Sequence, residues 1–80
     1  MRQETLRNAI ELAQQRWAAI HAFDIDLSTW QRLFTTHRPG DVLQAIRLTK
    51  DTVATDPAKI YERFERLLTS LEEERFYIQN

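Results

Sequence analysis

Residues 38–51 read RPGDVLQAIRLTKD. Whether this segment is a helix that enters a nucleic-acid groove or the central strut of a small bundle decides how the rest of the chain is read. Pro39 suits the first position of a helix, where its missing N–H has no partner to lose. Asp41 then falls in the first turn, where a negative charge favours the helix dipole. At about 100° per residue, Val42, Leu43, Ile46, Thr49 and Val53 share one side. Ala45 and Leu48 widen the apolar arc past half the circumference and leave Gln44, Arg47 and Asp51 as the outward strip. A helix this apolar touches more than one neighbour. A groove-reading helix instead keeps a free face rich in Arg, Lys, Asn or Gln. The preceding connection, TTHRPG (35–40), is also longer than the usual helix-turn-helix link. The segment is therefore expected to be a strut.

Its neighbours carry the same period. Leu6, Ile10, Ala13, Trp17 and Ile20 step by four, three, four and three, which predicts a first helix over 3–22 with an apolar seam. In FDIDLST (23–29), Asp26 as N-cap puts Ile25 and Trp30 at the two positions of a hydrophobic staple. Ser28 as N-cap instead forms a capping box with Gln31. Either start gives a short second helix, 28–37, carrying Trp30, Leu33 and Phe34. The strut follows over 39–54. Asp56-Pro57 then restarts the chain with an aspartate cap and proline at the first helical position, opening a fourth helix over 57–75. Ile60, Phe64, Leu67 and Leu71 line its face, flanked by Tyr61 and Leu68. Glu62 precedes Arg66 by four residues, the favourable order for a surface ion pair. The period breaks near Arg75, and residues 76–80 are expected to fray. The expected fold is all-α, a compact bundle of four helices forming one domain over 1–80.

With 80 residues and no cysteine, the chain has neither a disulfide nor a cysteine-based zinc site to reinforce a small core. Trp17 and Trp30 both fall on apolar stripes and are expected in that core. A net charge of −1 gives no global attraction to nucleic acid or an anionic membrane. Basic residues nonetheless cluster in the middle, with Arg32, Arg38, Arg47 and Lys50 set against Asp41 alone over 28–50. No apolar run follows Met1 and none reaches the ~18 residues of a membrane span, so a cytoplasmic protein without membrane contact is expected.

No catalytic constellation is present. Ser28, Ser70 and the threonines lack a nucleophile elbow or a paired base, and no glycine-rich phosphate loop occurs. His21, Asp24, Asp26 and His37 have metal-capable chemistry, but their helix-end positions explain them. Asp26 is a cap candidate, and a partly protonated His21 is expected to complement the end of the first helix. No enzyme activity, cofactor or metal is expected.

The second half, over 28–71, resembles the C-terminal domain of DnaD-type replication proteins. The resemblance rests on Trp30 in a short helix, then PGDVLQAIRLTKD (39–51), then DPAKIYERFERLL (56–68). It implies assistance in replication initiation and DNA contact through a tyrosine-containing motif, with Tyr61 at the matching position. The residues four and eight further on, isoleucine and tryptophan in that family, are Glu65 and Thr69 here.

The leading expectation is a small non-enzymatic interaction module, an adaptor or accessory regulator of the kind a mobile element encodes, binding protein as a homodimer. Its expected contact residues are Phe76, Tyr77, Arg38 and Arg47. The alternative is a DnaD-like nucleic-acid-binding accessory protein using Arg32, Arg38, Arg47, Lys50, Lys59 and Tyr61.

Overall fold

A computed structural model describes the backbone of residues 3–79 and the side chains of residues 3–75. It is all-α, with four helices: α1 (Gln3–Ile20), α2 (Leu27–Thr36), α3 (Pro39–Leu48) and α4 (Pro57–Gln79). A 3₁₀ turn, Thr49–Asp51, follows α3.

α3 packs against each of the other three helices, most extensively against α4. The quoted segment is thus the strut. Val42, Ala45 and Ile46 are fully buried. Pro39 takes the first helical position behind an extended Arg38. The strut is shorter than the apolar pattern predicts, because the buried Thr49 turns its hydroxyl back onto the Ile46 carbonyl at 2.5 Å. Such a bond competes with the i→i−4 ladder. The helix tightens into the 3₁₀ turn, and Thr52 becomes extended. Val53, expected on the buried side, is 93% exposed as a result.

α1 buries Ile10, Ala13 and Trp17, whereas Ile20, assigned to the same seam, lies at the surface. The helix stops at Ile20, short of residue 22. There the His21 ring reaches Thr49 (Nε2–Oγ1 2.8 Å), and Phe23 folds back edge-on against Trp17. α2 starts on Asp26, whose carbonyl accepts from the N–H groups of Thr29 and Trp30. The Asp26 carboxylate caps no backbone group and instead accepts from the hydroxyls of Ser28 and Thr29. In α4 the Asp56 side chain accepts from the Ala58 N–H at 3.1 Å, the capping bond expected there. Glu62 and Arg66 pair on the exposed face at 2.5 Å. α4 continues to Gln79, beyond the expected end at residue 75.

Three rings hold the helices together. Trp17 of α1, Trp30 of α2 and Phe64 of α4 meet mutually edge-on, with centroids 5.2 to 6.1 Å apart. All three are almost wholly buried. Both tryptophans are therefore core residues, and each ring is the meeting point of two other helices.

At the other end of α3, Asp41 is buried, with only 4% of the residue exposed. It is held by both guanidinium nitrogens of Arg75 on α4. Alongside, His37 Nδ1 lies 2.7 Å from Glu72. One ion pair and one histidine–carboxylate contact thus pin the α2–α3 junction to the C-terminal half of α4.

His21 has a different role from the charged helix-end residue expected. The only proton on the Thr49 hydroxyl is spent on Ile46, so the His21 Nε2–H is the donor of the 2.8 Å bond. Burial pushes the imidazole below its ordinary value of 6.5. The unfolded chain therefore takes up a proton that the folded chain resists, and stability drops as pH falls below about 6.5. The urea midpoint is expected to be lower at pH 5.5 than at pH 7.5, by a smaller difference in His21→Asn than in the parent. Equal differences in the two proteins would remove His21 as the cause.

Candidate interaction surfaces

The basic residues are not gathered into one uninterrupted stripe. Arg38 stands at the N-terminus of α3, and Arg47 lies in its last turn. Nine residues at about 1.5 Å each put the two near opposite ends of the strut, some 13 Å apart along its axis. Lys50 belongs to the 3₁₀ turn beside Asp51, and Lys59 to the first turn of α4. Arg32 on α2 and Tyr61 on α4 do come together, with the guanidinium donating to the phenol oxygen at 3.4 Å. Burial pushes the Tyr61 hydroxyl above its ordinary value, and the nearby carboxylates of Glu65 and Asp26 push in the same direction. Asp41 is held below the usual carboxylate range, first by its hydrogen bonds from Arg75 and further by the charges of Arg75, Arg38 and His37. Carboxylates thus interrupt the basic set at most of its members. Phe76 and Tyr77 lie outside the residues whose side chains are described.

One concave feature lies on a surface that the sequence pattern did not single out. An open groove of about 990 Å³ runs between α1 and α2. Its apolar lining is Leu6, Ile10 and Leu27, and charges from Glu4, Arg7 and Glu11 stand along the α1 side. Gln3, Gln14 and Gln31 complete a polar border. Leu27, the first residue of α2, is 52% exposed beside this groove. Gln14 also borders a second cleft of about 370 Å³, lined by Trp17, Ala18, Ile25 and Trp30. Both concavities thus lie along the outer edge of the α1–α2 seam, whose inner side is closed by Trp17 and Trp30. Leu27 escaped notice because a helix begun at Ser28 leaves it in the loop, where an isolated leucine has no face.

The groove has the chemistry of a contact surface. An apolar floor supplies burial, and a mixed polar border fixes register and orientation. Among the described residues, no three His, Cys, Asp or Glu side chains converge in a way that would hold a metal ion. No helix among them is long and apolar enough to cross a membrane. No protein-family model matches the chain, and neither a curated protein nor a solved structure matches it.

Proposed function

We propose that this protein is a small non-enzymatic interaction module that acts in the cytoplasm, as an adaptor or accessory regulator, by binding protein as a homodimer. The observation that carries this reading is the α1–α2 groove. Leu27 is half exposed and Leu6 partly exposed between two helices, over the buried Ile10 and beside a polar border. Grooves of this kind accept an amphipathic helix by burying its apolar side chains. The carboxylates interleaved with Arg32, Arg38 and Lys50 favour the same reading, since they weaken the field that phosphate contact relies on.

A second reading, nucleic-acid binding of DnaD-like type, draws support from the meeting of Arg32 with Tyr61, two residues it requires. The two readings separate in one titration. The purified chain, mixed with a labelled duplex or single strand at about 50 and 200 mM salt, is expected to leave the anisotropy of both unchanged. Binding at the lower salt that falls steeply at the higher would overturn the protein-binding reading, because phosphate contacts release counterions.

A further inference from the structure

Resting on the protein-binding reading, we infer that the α1–α2 groove is occupied by the same groove of a second copy of this chain. The two α1 helices run antiparallel across a two-fold axis. Leu27 of each copy seats against the partly exposed Leu6 of the other, and Arg7 of each faces Glu11 of the other.

Two observations select a second copy over an unrelated helix. The first is the charge order. Glu4, Arg7 and Glu11 border the groove on one strip of α1. Among the described residues none of the three forms an ion pair within the chain. Arg7 also precedes Glu11 by four residues, the less favourable order for pairing within a helix. When two such strips are laid antiparallel with the axis level with Ala9, Arg7 meets Glu11 twice by symmetry. The same register sets Glu4 against Gln14 and Gln3 against Gln15, so no like charges oppose. The second is shape. A two-fold interface needs a projection and its receptacle on one patch, and Leu27 projects beside the groove that Leu6 and Ile10 line.

The test is sedimentation equilibrium of the full chain, its variants R7E and E11R, and an equimolar mixture of the two variants. The parent is expected to be a dimer. Each variant alone places like charges opposite one another twice and is expected to weaken the dimer about tenfold or more. The mixture is expected to regain tight association, because the acidic strip of one variant then faces the basic strip of the other. Leu27→Gln is expected to be monomeric with unchanged helicity by circular dichroism. A monomeric parent, or a mixture no tighter than its components, would overturn the inference. A photo-crosslinking residue at Gln31, used in the cells that make the protein, separates this failure from that of the protein-binding reading. An adduct of twice the chain mass is the expected result. An adduct of another mass overturns the second copy alone, and the absence of any adduct overturns both.

Discussion

Phe64→Ala is expected to leave the protein at the edge of unfolding at 25 °C. The Phe64 ring has no exposed surface and packs edge-on against both Trp17 and Trp30. Tyr61 adds a fourth ring at 5.8 Å. Removing a buried phenylalanine side chain costs ~3–5 kcal/mol, the upper part applying where the surroundings cannot collapse into the space. The surroundings here are two indoles anchored on different helices, so collapse is limited. Against this stands a total stability of about 4–12 kcal/mol for a chain of 80 residues. A core this small belongs toward the lower end. The substitution therefore consumes most of the margin. Tryptophan fluorescence in urea reads the effect directly, since both indoles touch the deleted ring. The midpoint is expected to approach zero denaturant for Phe64→Ala, and Phe64→Leu is expected to stay folded. A Phe64→Ala stability within about 1 kcal/mol of the parent's would show that the three rings are not what joins α1, α2 and α4.

The second large effect is expected at the opposite end of α3. Arg75→Met deprives the carboxylate of Asp41, a residue only 4% exposed, of both its hydrogen-bond donors. A buried charge stripped of its partner is strongly destabilising, whereas replacing both partners by apolar groups of similar volume is often close to neutral. The expected order of melting temperatures is therefore parent, then D41L/R75M slightly below it, then Arg75→Met well below both, by on the order of 10 °C. pH gives an independent check on sign. Arg75 holds the Asp41 carboxyl below its ordinary value of 3.8, so the pair's contribution is complete above about pH 4 and is lost as the carboxylate takes up a proton below it. The gap between parent and Arg75→Met is expected to narrow in acid. If the double variant melts no higher than Arg75→Met, the loss comes from the missing arginine stem and not from an orphaned carboxylate.

The helices were legible because their apolar residues repeat at a single period, and because Pro39, Asp56 and Pro57 mark two of the starts. The boundaries that moved did so through side-chain bonds that a periodic pattern does not encode. Thr49 reads as one more residue on the buried side of α3. In the fold its hydroxyl ends the helix by bonding to Ile46, and it also anchors His21, 28 residues away in sequence and just past the end of α1. Asp41 reads as an N-terminal charge favouring the dipole, and its burial under Arg75 depends on how α4 crosses α3. The groove was harder still to foresee. Leu6 is indistinguishable from a core residue in sequence, and only the way α1 crosses the start of α2 leaves it partly exposed beside Leu27.

The connection after α3 has a practical consequence. Val53 projects almost entirely into solvent from an extended segment, and the chain contains no cysteine. A single Val53→Cys substitution therefore installs a unique, fully accessible thiol without disturbing a buried group. A spin label attached there would sit once on each copy, and the interval between two such labels would report the spacing of chains within an assembly.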